Sequence, residues 1–426
     1  MIPTMIPTMI PTTQSNESKW RYWKDVGFFA VWACMLCFIA HLGLGQNWPW
    51  LSHLGGEYLH ISRSISNTGN FSDPFTGGTG PTAWMPPLLP YLMAPILHLF
   101  GEEALVLTVS LAQCVVVSMI FAWLVAFARR SGIPVAGRWI VIAFSIAEMH
   151  NLYGITHDSF LLLGLSTATV YRLGAWSNPT ELRHSQAVLW GLWGGILALA
   201  SPICSAAWMI LTASAWRKRP SLVLICGLVA GACVAPWTVR NLWVFHALVP
   251  IKSNAGFDAW QANVFDNDGV LDSDTFGTHP CFHENEHRIE IRNRGEVVYC
   301  QEKGRLFWDW IKVHPTEYLR KVGNRIKAST VFFWVDMKPV SYFWRAFPML
   351  TLATPWIFIP VGVYYHKQLS RYYWIALAWM VLYLIPYWAI TYYDRYGAPL
   401  IAIKAWLVIM VVAQWHKNFS DQNTVE

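Results

Sequence analysis

Long apolar runs alternate with short basic connections along most of the chain, and this pattern predicts helices that cross a bilayer. A span takes about 20 apolar residues. Runs near this length lie at 26–45, 103–128, 138–156, 158–176, 186–201, 203–216, 220–239, 346–365, 372–390 and 398–415. They predict an all-α polytopic membrane protein with about ten transmembrane helices, two of them divided at Ser201-Pro202. The segment 86–99, PPLLPYLMAPILHL, is short and carries four prolines, so it predicts a re-entrant or interfacial helix. A polar stretch, 240–343, interrupts the series. Helical spacing returns there with Leu306, Trp310 and Val313, then Tyr318, Val322 and Ile326, with Pro315 separating two helices. A small, mostly helical cap is expected there.

The basic residues orient the spans. Lys19, Arg21 and Lys24 precede the first run, and Arg129 to Arg138, Arg172 to Arg183, Arg217 to Arg219, Lys367 to Arg371 and Lys417 fall in alternate connections. Placing all of them in the cytosol satisfies the positive-inside rule. Both termini are then cytoplasmic, and 46–102, 153–158, 240–343 and 391–397 face outward. The expected division is a disordered tail 1–25, which opens on a MIPT repeat, transmembrane helices 26–239, an outer domain 240–343, further transmembrane helices 344–416 and a short tail 417–426. Only 13% of residues are charged, against about 25% in soluble domains, which strengthens the membrane reading. The net charge of +6 sits in the inner connections, so it is no sign of a nucleic-acid partner.

The stretch between the first two spans holds unusual chemistry for a connection beside lipid. Glu57 falls in an amphipathic turn whose apolar face is Leu54, Tyr58, Ile61 and Ile65; Glu57, His60 and Ser64 share the other face. Arg63 follows, then a Gly-rich loop at Gly77 to Gly80. Asp158 occupies the next outer turn, where it reads either as a helix N-cap or as a second functional acid. An acid at a membrane surface needs a partner or a task. Two acids at one face suit general-base or metal-assisted transfer from a phosphate-bearing substrate. Arg63, Arg240, Lys252 and Arg395 lie at the same level, either as headgroup anchors or as a phosphate-binding set.

Other motifs carry less. Cys34 and Cys37 form a CMLC spacing inside an apolar run, where cysteine acts as a small hydrophobe. Cys281 and Cys300 stand alone in the polar stretch and are candidates for a disulfide if it is extracytoplasmic. Asp266, Asp268, Asp272 and Asp274 lack the EF-hand glycine and read as a solvated loop. His283 and His287 lack the HExxH order of zinc proteases, and no Walker loop, Rossmann fingerprint or nucleophile elbow occurs.

The run GEYLHISRSISNTGNFSDPFTGGTGPTAWMPPLLP resembles the first outer loop of GT-C polytopic membrane glycosyltransferases. More narrowly it is similar to the bacterial RgtA/B/C/D-like branch of the protein mannosyltransferase and aminoarabinose-transferase group. APWTVRNLWVFHALVPIKSNAGFDAWQAN and GEVVYCQEKGRLFWDWIKVHPTEYLRKVGNR resemble later blocks of that branch, in the same order. The resemblance implies transfer of a hexose or pentose from a polyprenyl-phosphate carrier to a lipid, glycan or protein acceptor at the outer face of the plasma (inner) membrane, usually with inversion. It implies Glu57 as base or metal residue and Asp158 as the second acid, with Arg240 and Arg395 as carrier-phosphate contacts. Arg63, His60, Lys252 and Tyr393 complete the expected substrate-binding set. Many relatives carry a paired acid where this chain has Gly56, which bears on a divalent metal (Mg²⁺ or Mn²⁺) at Glu57 and Asp158.

Two rival classes stand beside this one. A transporter or flippase would show inverted repeats and polar residues at mid-membrane. A non-catalytic scaffold would leave Glu57 and Asp158 without a task.

Overall fold

The computed structural model describes residues 16–43, 56–148, 152, 158–176, 182–266, 268–271, 275, 279–281, 285–331 and 342–423. Among them the chain is helical, with only isolated bridges at Ser72–Pro81 and Val270–Tyr392. The helices are α1 (Asn16–Gly43), α2 (Gly56–Thr68), α3 (Leu88–Arg130), α4 (Pro134–Ala147), α5 (Ser159–Ala175), α6 (His184–Ala200), α7 (Pro202–Ala215), α8 (Pro220–Phe245), α9 (Ala255–Trp260), α10 (Glu286–Arg294), α11 (Glu296–Val313), α12 (Pro315–Thr330), α13 (Tyr342–Tyr364), α14 (Arg371–Ala389) and α15 (Ile401–Asn423).

Four stretches among the described residues are long and apolar enough to cross a membrane: Leu88–Arg130, Pro220–Phe245, Arg371–Ala389 and Asp394–Asp421. Their outward faces are apolar as well. Leu107, Leu111 and Val115 of α3 and Leu224 and Leu228 of α8 are exposed, as suits helices solvated by lipid. Inside, α1, α3, α5, α14 and α15 share one apolar core, with Trp123, Trp379 and Trp406 buried in it.

Helix ends follow backbone chemistry. Ser201 is extended between α6 and α7, and its hydroxyl accepts from the Cys204 amide while Pro202 opens the next helix. Pro315 opens α12 in the same way. The prolyl segment 86–99 continues into the following span as α3, but Gly101 at φ 80° breaks the run into two helices. The short prolyl helix is therefore real but abuts the span directly.

Two boundaries differ from expectation. The N-terminal tail becomes helical at Asn16, because Tyr22 packs in the core and buried Asp25 pairs with Arg129 (2.5 Å) and Arg138 (2.8 Å). That pairing ties the N-terminal half of α1 to the C-terminal end of α3 and the start of α4. And α8 runs to Phe245, so Arg240 lies inside a helix, not at its end.

The polar stretch folds into α9 to α12, a cap built partly on inverted amphipathicity. Leu306, Val313 and Ile326 of the apolar stripes are exposed, whereas Lys321 and Arg325 are buried. Arg325 donates to Trp388 O and Ala389 O, carbonyls left open at the end of α14, and also to Gly269 O. Lys321 donates to the carbonyls of Asn263 and Asp266. These bonds hold the cap on the apolar helices. Asp266 is buried, not solvated: its carboxylate accepts from the amides of Asp268 and Gly269 and from Thr275. Asp272 and Asp274 lie outside the described residues.

Candidate functional site

The site forms where the first loop, α9 and the turn before α15 meet. The loop after α2 is closed by Asp73, whose carboxylate accepts from the Gly80 amide and whose own amide donates to Gly80 O, both at 2.8 Å. Gly78 (φ 71°) and Gly80 (φ 84°) adopt left-handed backbone that the turn requires. Arg240 reaches across from α8 and donates to Phe71 O (2.7 Å) and Thr82 O (2.8 Å), one on each side of the loop's base. Buried Glu296, at the start of α11, accepts from the Ala83 amide, Thr82 and Ser253. The loop is thereby bolted to the cap, and Trp84 is fully buried beneath it.

This frame fixes α2, whose residues Glu57, Tyr58 and Leu59 are all buried. The simple split into an apolar and a polar face therefore fails: Glu57 and Ser64 are as covered as Tyr58 and Ile61. Glu57 is 6% exposed, and among the described residues its carboxylate makes no hydrogen bond or ion pair. A buried, unpaired acid is costly unless something else meets it. The ligand atoms of Glu57, His279 and Cys281 lie within 4.8 Å of one another. Cys281 Sγ sits 2.9 Å from His279 Nδ1, which also accepts from the Cys281 amide. Burial pushes His279 down to about 4 and pushes the Cys281 thiol up, so a neutral imidazole faces a protonated thiol.

Arg395 is the electrostatic centre. Tyr58, Asp158, Asp258, His279, Cys281 and Tyr396 all feel its charge, and Glu57 feels it in turn. Its guanidinium lies over the rings of Tyr396 (5.5 Å) and Tyr393 (6.0 Å). Tyr396 stacks on Tyr387 with ring centroids 4.5 Å apart. Lys252 lies near Asp158 and Asp258, and no hydrogen bond or ion pair holds its amine among the described residues.

Asp158 is no helix cap. Its side chain makes no capping bond, and its carboxylate instead accepts from Tyr58 OH at 2.9 Å. Burial and this acid together hold the Tyr58 phenol well above its usual range. Asp158 thus reaches the neighbourhood of Glu57 but is not among the three donors that converge there. The donors that do converge are a carboxylate, an imidazole and a thiol. That set fits a zinc-like divalent ion and not Mg²⁺ or Mn²⁺, which favour oxygen.

The other expected residues divide. Arg395, Lys252 and Tyr393 join Glu57 and Asp158. Arg240 does not: its charged neighbour is Glu296, and its terminal nitrogens are spent on the loop. Arg63 is engaged by Glu102, and His60 lies beside Arg63 at the edge, close enough to feel Glu57. The disulfide is overturned, because Cys281 and Cys300 are both free thiols. Cys281 turns to His279, while Cys300 turns to Ser253 behind α9. His283 lies outside the described residues.

Sequence reading missed Asp258 and His279 as site residues and singled out Cys281 only as half of a disulfide. Asp258 sits in the aromatic run GFDAW, where an isolated acid was the available signal. Burial raises its carboxyl to about 6, against the opposing pull of Lys252 and Arg395. No family model matches the chain, and no curated protein or solved structure matches it.

Proposed function

We propose that the chain is a membrane glycosyltransferase of the GT-C type that moves a sugar from a polyprenyl-phosphate carrier to a lipid, glycan or protein acceptor. The apolar runs and the basic connections support a topology of ten spans, cytoplasmic termini and an extracytoplasmic cap, in which the site belongs to the outer face of the plasma (inner) membrane. The observation that carries the reading is the meeting of unpaired Glu57 with Arg395, from opposite ends of the chain, at the ends of apolar helices. A lipid-linked phosphosugar needs this location, with its tail in the bilayer and its phosphate at the surface. Exposed Tyr91, Leu92, Leu99 and Phe100 on the prolyl helix offer the tail an apolar approach.

In this mechanism Glu57 takes the proton of the acceptor hydroxyl as that oxygen attacks the anomeric carbon. The bond from that carbon to the carrier phosphate breaks, and Arg395 and Lys252 receive the negative charge of the departing phosphate. Attack opposite the leaving group inverts the anomeric centre. Tyr58 and Asp158 hold the turn that presents Glu57. A zinc-like ion at Glu57, His279 and Cys281 would add positive charge beside the phosphate when bound.

One observation favours a transporter instead. Lys404 of α15 is buried within the apolar core, near Glu148 and Asp394. Protein in liposomes supplied with a labelled polyprenyl-phosphate sugar distinguishes the two. Label appearing in a new glycoside supports transfer, whereas label crossing the bilayer unchanged sinks it.

A further inference from the structure

The site contains a carboxylate that the transfer steps above leave unused. Asp258 stands on α9, a single short helix seated hard against α11. A side-chain carbon at Gly256 would meet Cys300 O at 2.2 Å, so only glycine lets α9 lie this close. Phe257 then wedges between Trp84 and His279, with ring centroids 5.3 and 5.5 Å away, and is fully buried. The next residue, Asp258, is consequently held at the site with little freedom of its own.

Asp258 is partly accessible, and among the described residues its carboxylate makes no hydrogen bond or ion pair. The charged and titratable groups around it are Lys252, Arg395, Glu57, Tyr396 and Cys300. Buried Glu57, also without a partner, faces the same space. Two unpaired carboxylates can only accept hydrogen bonds when ionised. The two cations are the groups a phosphate would claim. What remains for Asp258 is a ligand rich in O–H or N–H donors, and the neighbouring Tyr396, which feels its charge, is already held by Arg395 and Tyr387.

We propose that Asp258 is the sugar-selecting residue of this site: it accepts hydrogen bonds from the donor sugar's hydroxyls, and it excludes sugars that carry a carboxylate. The inference rests on the glycosyltransferase reading and deepens it. Neutral hexoses and pentoses, or sugars bearing an amine, are the substrate class. A uronic acid would set its own carboxylate against Asp258 with no spare cation to neutralise it, and like charges so placed suppress binding of the wrong partner.

The test compares two polyprenyl-phosphate donors that differ only at one carbon, a hexose and the corresponding hexuronate, with the full-length protein in liposomes. The wild type should use the hexose by about 100-fold or more in kcat/KM. Asp258→Asn, which keeps shape and removes charge, should shrink that ratio at least about tenfold, chiefly by improving use of the hexuronate. Equal use of both donors by the wild type overturns the assignment and leaves the glycosyltransferase reading standing. An unchanged ratio in Asp258→Asn also overturns it. Transfer from neither donor, with Glu57→Gln indistinguishable from the wild type, overturns both.

Discussion

Glu57→Gln is expected to cut sugar transfer by about 100- to 10,000-fold, the range a general base contributes. The substitution keeps the volume of the side chain and removes only its ability to take a proton. Glu57 has no hydrogen-bond partner among the described residues to lose, so the protein should express, insert and unfold at nearly the wild-type temperature. That combination separates chemistry from structure. KM for the donor should move little, because the lost interaction is made with the acceptor oxygen in the transition state. Retained activity in Glu57→Gln, measured as product glycoside against time in proteoliposomes, would remove Glu57 from the reaction.

Arg395→Ala should have two consequences of similar size. Transfer should fall about 100- to 1,000-fold, because a donor aimed at the developing phosphate charge disappears. Stability should fall as well, since the positive charge of Arg395 lies near Glu57, Asp158 and Asp258 and offsets their mutual repulsion. Breaking such a set by removing one partner leaves uncompensated charge. Arg395→Lys separates the two: it restores the charge and so the stability, but replaces a planar fork with a point charge and recovers transfer only in part. Kinetics and thermal unfolding of the three proteins check this. An Arg395→Ala variant with wild-type kcat/KM would contradict the phosphate role.

The hydrophobic pattern made most helices legible. Ser201-Pro202 and Pro315 marked true helix junctions because proline opens a helix but cannot continue one. Glu57 and Arg395 were legible because an acid or a guanidinium at a lipid boundary stands out against apolar neighbours. The failures came from partners that sequence does not order. Arg240 resembled a phosphate ligand until two loop carbonyls claimed it. Asp158 read as either a cap or a second acid, and the partner that separates the two, Tyr58, lies a hundred residues earlier. Cys281 and Cys300 looked paired by isolation alone, yet the chain turns one toward His279 and the other behind α9. Asp258 drew no notice, since its meaning depends on the seat that Gly256 gives α9.

The central claim is that this site handles a lipid-linked sugar. Mass spectrometry of lipids retained by the gently purified protein tests it most directly. The expected result is a polyprenyl phosphate, with or without its sugar, retained by the wild type and depleted in Arg395→Ala. Retention of a water-soluble solute with no polyprenyl phosphate in either protein would contradict it.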